Sequence, residues 1–417
     1  MLERARPPGD PVTVYLDDSP ISAERGEPLA VALLAAGKVT LARSPKLHRP
    51  RGPSCLRGAC DGCLARVDGV PNVMTCQRPA RGGERIETQN VIGSREADVL
   101  QVTDWFFPEG IDHHHLMAGI PGVSSVMQAF ARKLAGLGTL PDASAPAREA
   151  RIVETEVIVM GGGLAGRAVA SRLAGGGARV RLVDDGAVPG GSLPGAPRVA
   201  ERIEREYPLE GVELMACSVA AGVYRGEVLV ASEEGATVVR ARAKVFATGA
   251  HDGVLAVPNN DLPGLFSARA MAQLAARGIV PKGKTAVVGE GFWADQVTAA
   301  LGESKVVRVA AASVAGLKGT SRVKGLIVRG DKGERAVDVD VVAVAVQGAP
   351  SFEVAAQAGA GVRFEPRAGY VLDCDDRGRT AEGVWAVGEC VGIRFDPEAI
   401  ESMAERVAED VRRALAG

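Results

Sequence analysis

Four of the seven cysteines in this 417-residue chain, Cys55, Cys60, Cys63 and Cys76, fall in one short stretch. Their spacing, C-x4-C-x2-C followed by one more distant cysteine, surrounds two irons with four thiolates in a [2Fe–2S] cluster. Three thiolates on one tight loop require backbone N–H groups turned toward sulfur. Gly58 and Gly62 suit that loop, because glycine takes φ > 0 and allows close approach where a Cβ would collide. Arg57 puts a positive charge beside an anionic group. Beyond Cys63, LARVDGVPNVMTC predicts a strand, a turn at Asp68-Gly69 and a short strand ending on Cys76, which returns the fourth thiolate. Zinc and purely structural cysteines are the competing readings. Structural zinc favours two C-x2-C knuckles, of which there is one here, and disulfides need an oxidising compartment, for which the sequence shows no export signal.

The second stretch with chemistry begins at Glu156. EVIVM predicts a buried parallel strand running into the G-x-G-x-x-G of Gly161, Gly163 and Gly166, then a helix, then the strand RVRLV ending at Asp184. In a dinucleotide fingerprint the first glycine makes the tight turn, the second admits the pyrophosphate and the third lets helix pack on strand. The helix N-terminus faces the phosphates, and an acid at the position of Asp184 binds ribose hydroxyls, favouring an adenosine 2′-OH over a 2′-phosphate. A second βαβ unit starts at Lys284, with Gly289, Gly291 and Ala294 as G-x-G-x-x-A. Its next strand, KVVRVA, offers no ribose acid, and Glu290 and Trp293 put charge and bulk inside the turn, so a domain kept for packing without nucleotide is the competing reading.

The elements around these stretches follow from pattern. Residues 12–16 and 20–24 predict strands, Asp17-Asp18 a turn, and 27–36 a helix ended by Gly37. With the hairpin of 63–76 this is the order of a β-grasp ferredoxin. The start, MLERARPPGD, is expected to fray. Residues 44–52, SPKLHRPRG, form a basic segment held irregular by Pro45 and Pro50, which reads as either a solvated loop or a phosphate or partner contact. Residues 101–150 predict a helical linker containing the aromatic cluster Trp105–Phe107, the triplet His113–His115, which adjacent side chains cannot turn toward one ion, and a helix at 123–137. Residues 337–350 predict one strand ending in a loop, and 396–416 a terminal helix.

Composition excludes several classes. The formal net charge is −2, which gives no basis for binding nucleic acid or an anionic membrane. No apolar run reaches a membrane span, so the expected localisation is cytoplasmic. Cys217, Cys374 and Cys390 are isolated and expected to be buried small residues, and no C-x-x-C pair stands ready as a redox disulfide beside a dinucleotide.

Several segments resemble a known family. SPKLHRPRG is similar to a segment at the same place in the α subunit of heterotetrameric sarcosine oxidase, with Pro45 and Leu47 where that pattern has aromatics. Residues 251–278, HDGVLAVPNNDLPGLFSARAMAQLAARG, resemble the sarcosine oxidase α and opine oxidase pattern. Relatives with the cluster cysteines include the opine oxidase, hydrogen cyanide synthase and proline or hydroxyproline dehydrogenase groups. Gly190-Gly191, the A-T-G of Thr248 and Gly249 in VFATGA, and GVWAVGECVGI with Gly388 and Glu389 resemble cofactor-contacting segments of the two-dinucleotide-domain flavoproteins. Glu389 stands where that superfamily usually has Asp.

The resemblance implies a β-grasp [2Fe–2S] domain over 1–100, a linker over 101–150, a discontinuous FAD-binding domain over 151–276 and 366–417, and a second NAD(P)-type domain over 277–365. FAD is the expected occupant of the first pocket, with NAD or another adenine nucleotide as the alternative and an interfacial FMN at a subunit contact. The implied function is electron transfer within a heteromeric amine or imino acid dehydrogenase or oxidase. In such complexes a D-amino acid oxidase-like β subunit removes hydride from the C–N bond, and electrons leave to an acceptor protein or carrier. His251 and Arg269 are the few substrate-binding candidates near the A-T-G segment, and no catalytic residue is assigned. The folate-binding region of sarcosine oxidase α and the cysteine-rich tail of opine oxidase subunits are not in this sequence. The alternatives are a stand-alone NAD(P)H-dependent reductase and a non-catalytic nucleotide-binding scaffold.

Overall fold

The strand Pro11–Leu16 pairs antiparallel with Ser19–Glu24 across Asp17 and Asp18, both at positive φ, a conformation Asp tolerates better than most L residues. Pro11–Leu16 also runs parallel to Arg85–Glu87, which pairs with Leu64–Val67, which in turn pairs with Val70–Met74. These strands make one mixed five-stranded sheet in the order Ser19–Glu24, Pro11–Leu16, Arg85–Glu87, Leu64–Val67, Val70–Met74. Helix Leu29–Ala35 buries every residue from Leu29 to Leu34. Gly37, at φ +75, ends the turn that follows it. This is the β-grasp arrangement, and it places Cys63 at the start of one strand and Cys76 just beyond the end of its neighbour.

A computed structural model describes residues 1–44, 49–89, 91, 94–95, 122, 125–126 and 149–417. The linker expected over 101–150, with Trp105–Phe107, His113–His115 and the helix at 123–137, lies almost wholly outside the described residues. Two compact units divide the chain. One comprises Met1–Ser144, Leu255–Gly289 and Val297–Val344, and the other Ala145–Val254, Glu290–Gln296 and Ala345–Gly417.

The first unit also holds a four-stranded sheet, ordered Leu265–Ser267, Val341–Ala345, Thr285–Gly289, Val306–Val309. Ala286–Val288 and Val341–Ala343 are wholly buried, as parallel strands covered on both faces must be. A three-stranded antiparallel sheet follows, Val314–Gly319, Val323–Gly330 and Gly333–Asp338. The expected single strand over 337–350 is parts of three strands in three sheets, the last, Ala349–Pro350, pairing with Ala250–His251. The first break falls at Val339-Asp340, where the amides bond to Lys324 O and Lys284 O. The N-terminus does not fray. Leu2–Arg4 pairs with Ile279–Pro281, Leu2 is buried, and Arg4 makes a 2.5 Å ion pair with Glu27.

The second unit is built on a sheet ordered Val212–Met215, Val180–Val183, Arg151–Met160, Gly235–Phe246, Glu227–Ser232, Ser218–Tyr224. Gly235–Phe246 serves two roles. Its first half forms a hairpin with Glu227–Ser232, and its last residues, Lys244–Phe246, pair parallel with Val384–Ala386. Helices Leu164–Gly175 and Pro397–Ala416 share one core with these strands. Asp396 caps the terminal helix by accepting from the amides of Glu398 and Ala399. Trp385, fully buried, donates its indole N–H to Asp410, which also holds Arg379 at 2.9 Å. Burial raises the Asp410 carboxyl pKa, but the indole and guanidinium outweigh it and hold the pKa low.

Candidate functional site

The loop between Cys55 and Cys63 is shaped by Leu56 at φ +54 and Gly58 at φ +73. A Cβ on Gly58 would come within 2.5 Å of the Gln77 side chain, and one on Gly62 within 1.9 Å of Gly52 O. With those positions filled by glycine, backbone amides turn onto sulfur. Arg57 and Ala59 donate to Cys55 Sγ at 3.4 and 3.3 Å, and Gly58 donates to Cys76 Sγ at 3.3 Å. Thr75, fully buried, bonds Cys63 O through its hydroxyl at 2.7 Å and so fixes the returning strand. Cys55, Cys63 and Cys76 are buried, and Cys60 is half-buried.

The four thiols bond to one another. Cys55 contacts Cys60 and Cys76, and Cys76 contacts Cys63. The shared protons push Cys55 and Cys63 down and Cys60 and Cys76 up, each chiefly through its neighbouring thiol. Four thiolates this close repel unless cations lie among them, and the amides aimed at sulfur supply further positive potential, so the residues fit an iron–sulfur cluster. Among the described residues no three His, Cys, Asp or Glu side chains converge on a single-ion site. Two irons with two thiolates each need no such point.

In the second unit, Gly161 turns the chain at φ +101. A Cβ there would lie 2.3 Å from Ala247 O, and one on Gly166 would lie 1.8 Å from Gly161 O. Gly163 differs, because a Cβ on it would meet nothing within 4 Å. The first and third glycines are required by the fold, while the second faces a space the protein leaves open, as a diphosphate cradle demands. Gly191, at φ +54, stands against Gly163, so that a Cβ on it would lie 3.3 Å from Gly163 Cα, and Gly190 precedes it in the same loop. Gly388, at φ +84, comes against Ala165 at the start of the helix, and half-buried Glu389 follows in the same turn. Thr248 Oγ1 donates to Ser351 O at 2.6 Å, and Gly249 O accepts from Ser351 N, tying the A-T-G segment to the chain at 351.

Asp184 is buried and accepts from Gly162 N at 2.6 Å and from Gly186 N at 2.9 Å. Burial pushes its carboxyl up to about 6, against the opposing pull of those two amides. The carboxylate thus orders the glycine turn itself, a role that spacing did not reveal. Gly162 is the residue missed, and its signal was a fourth glycine inside the fingerprint. Cys390 is buried, with its thiol bonded to Phe246 O and Val387 O. Burial raises its pKa to about 11. Cys374 is half-buried, but Cys217 is exposed at φ +49, contrary to the expectation of burial. His251 is exposed and Arg269 is buried in helix Ala268–Ala276, in different units.

At the second glycine-rich turn, Gly291 at φ +97 is open, as Gly163 is. Phe292 and Trp293 pack with Phe395 at centroid distances of 4.9 and 4.8 Å, and Glu290 pairs with Arg394 at 3.5 Å. The basic segment 44–52 is described only in part. Pro50–Arg51 pairs with Ala42–Arg43, and Arg49 and Arg51 both reach Asp261. No described helix is long and apolar enough to cross a membrane.

Comparison with known proteins agrees with this construction. Residues 9–91 match the 2Fe-2S iron-sulfur cluster binding domain family, and residues 155–310 the pyridine nucleotide-disulphide oxidoreductase family. These matches imply a [2Fe–2S] cluster and FAD. The sarcosine oxidase subunit alpha of Rhizobium meliloti is 29% identical over 368 residues, covering 78% of this chain and 37% of that protein. The chain thus spans little more than a third of that relative's length. The hydrogen cyanide synthase subunit HcnA of Pseudomonas aeruginosa is 35% identical over 79 residues, covering 19% of this chain and 75% of HcnA. The crystal structure of L-proline dehydrogenase from P. horikoshii superposes with a TM-score of 0.75 at 22% identity, over 99% of this chain and 76% of that one, a likeness of fold. The chain belongs to the sarcosine oxidase α-like and hydrogen cyanide synthase-type iron–sulfur flavoproteins of the pyridine nucleotide-disulphide oxidoreductase superfamily.

Proposed function

We propose that this chain is the electron-transferring subunit of a heteromeric dehydrogenase or oxidase acting on the C–N bond of an amine or imino acid. The observation that carries the reading is the pairing in one chain of a four-thiol loop lined with backbone donors and a glycine turn open at Gly163. When bound, FAD accepts electrons in pairs and the [2Fe–2S] cluster passes them singly. Cys55, Cys60, Cys63 and Cys76 are the ligands in this reading. Gly161, Gly163 and Gly166 shape the dinucleotide turn with Gly190 and Gly191, and Asp184 orders it. Thr248, Gly249, Gly388 and Glu389 line the cofactor's further reach.

Hydride removal from an amine needs a carboxylate-binding cation and a held α C–H. His251 is exposed and Arg269 is buried within a helix, and this reading gives neither a substrate-binding role. A D-amino acid oxidase-like β subunit supplies that chemistry in this reading, in the cytoplasm, and an acceptor protein or carrier takes the electrons. The relatives' names as subunits support a heteromer. Amine-dependent reduction of an artificial acceptor, measured for the chain alone and for the chain with a co-expressed β subunit, tests the assignment. Turnover only with the partner is expected, and robust oxidation by the chain alone overturns it.

The open Gly291 favours a second reading, an NAD(P)H-dependent reductase. The absence of an acid after Val309, the aromatic pair Phe292-Trp293 and the Glu290–Arg394 ion pair weigh against it.

A further inference from the structure

Two segments carry the family resemblance, and the function above gives neither a role. One is the basic segment 44–52 and the other is 251–278. Parts of both lie in the same unit as the cluster loop, and their contacts run in a continuous series. Asp261 Oδ2 faces Arg49 at 3.4 Å and Arg51 at 3.2 Å, and its side chain is 16% exposed. One residue past Arg51, a Cβ on Gly52 would come within 3.0 Å of Pro263 Cβ and 2.2 Å of Val39 O. Ser54 O, next to Cys55, accepts from Ser267 N at 2.9 Å. Ser267 is the N-cap of helix Ala268–Ala276, and its hydroxyl accepts from Ala270 N. The loop closes back on the same strip, because Gly62, between Cys60 and Cys63, lies against Gly52 O.

We propose that Asp261 is a positioning residue for the cluster. It clamps Arg49 and Arg51, so that residues 52–54 form a fixed floor between the 261–267 segment and the four-thiol loop. Three physical features support this. One carboxylate shared by two guanidiniums is better defined than an isolated surface pair, and Asp261 is largely shielded from water. Gly52 lies against the Val39 backbone and the rigid Pro263 ring, and Gly62 against the Gly52 backbone, none of which gives way easily. The Ser54–Ser267 bond ties the residue before the first ligand to a buried helix cap rather than to a mobile loop. Arg49 and Arg51 are therefore committed within the chain.

This rests on the cluster reading, and the test separates the two. The full chain is purified anaerobically as wild type, Asp261→Asn and Asp261→Glu. Iron and acid-labile sulfide are quantified, loss of visible absorption under EDTA is timed, and the EPR spectrum of the dithionite-reduced protein is recorded. Wild type is expected to hold two irons per chain. Asp261→Asn should lose its absorption at least threefold faster and show altered g-values, with adenine dinucleotide content unchanged, and Asp261→Glu should restore the wild-type spectrum. In a double-mutant cycle, Arg51→Gln should add little to Asp261→Asn, because both break the same clamp. Iron-free wild type would overturn the cluster reading and this proposal with it. An iron-replete Asp261→Asn with wild-type decay rate and g-values would overturn the proposal alone.

Discussion

Substitution of Gly163 by valine separates binding from folding in a way few glycine mutations allow. Gly163 sits at φ −66 and ψ −172, an extended conformation open to any residue, and a Cβ there meets nothing within 4 Å. The valine Cβ therefore enters the protein without a clash. Valine is a poorer helix N-cap than glycine, while its stiffness reduces the entropy of the unfolded chain. Together these leave apo stability within about 1 kcal/mol of wild type. The branched side chain does fill the space where a diphosphate must approach the helix N-terminus. Losing two amide bonds to charged oxygens at about 1.5 kcal/mol each weakens binding by about 3 kcal/mol, roughly a hundredfold in Kd. The assay is titration of apo protein with FAD by flavin fluorescence, alongside thermal unfolding of the apo forms. Gly166→Ala is the contrast, since its Cβ would lie 1.8 Å from Gly161 O and should destabilise the apo protein itself. Unchanged FAD affinity in a folded Gly163→Val protein would refute the assignment of this turn.

Asp184 has a pKa raised to about 6 in the folded chain, against 3.8 for an ordinary aspartate. A raised folded pKa means the native state binds more protons between those values, so its contribution to stability falls as pH rises through that window. Between pH 4 and 7 the apo wild type should lose about 2 kcal/mol relative to Asp184→Asn, read by urea denaturation, and a flat difference would contradict it. Cys60→Ser and Cys63→Ser should each abolish the brown colour and iron content, whereas zinc without iron in the wild type would overturn the ligand assignment. NADH should reduce the isolated protein slowly or not at all, and fast stoichiometric reduction in a stopped-flow trace would favour the reductase reading.

The parts of this molecule legible in sequence are those set by local chemistry. The cysteine spacing, the Asp17-Asp18 turn, the Gly37 stop and the glycine fingerprint each follow from a few adjacent residues, and the structure places each where the pattern predicts. What pattern could not reach depends on residues distant along the chain. Leu2–Arg4 looks like a frayed end until Ile279–Pro281 supplies its pairing partner. The run 337–350 is valine-rich enough to read as one strand, and the long-range bonds of Val339 and Asp340 and the pairing of Ala349–Pro350 with Ala250–His251 divide it. The basic segment 44–52 has no local signal for Asp261, more than two hundred residues away. Asp184 was legible as an acid at the ribose position, but not as the acceptor that holds the Gly162 amide.

The central claim is that electrons from a C–N donor reach this chain's cluster only through a partner subunit. The most direct measurement is anaerobic mixing of the chain with sarcosine or proline, with and without the co-expressed β subunit, followed by freeze-quench EPR. The account predicts that the reduced-cluster signal appears with the partner, is absent without it, and is lost when Cys60→Ser replaces the wild-type chain. A reduced-cluster signal of equal size and rate from the chain alone would contradict it.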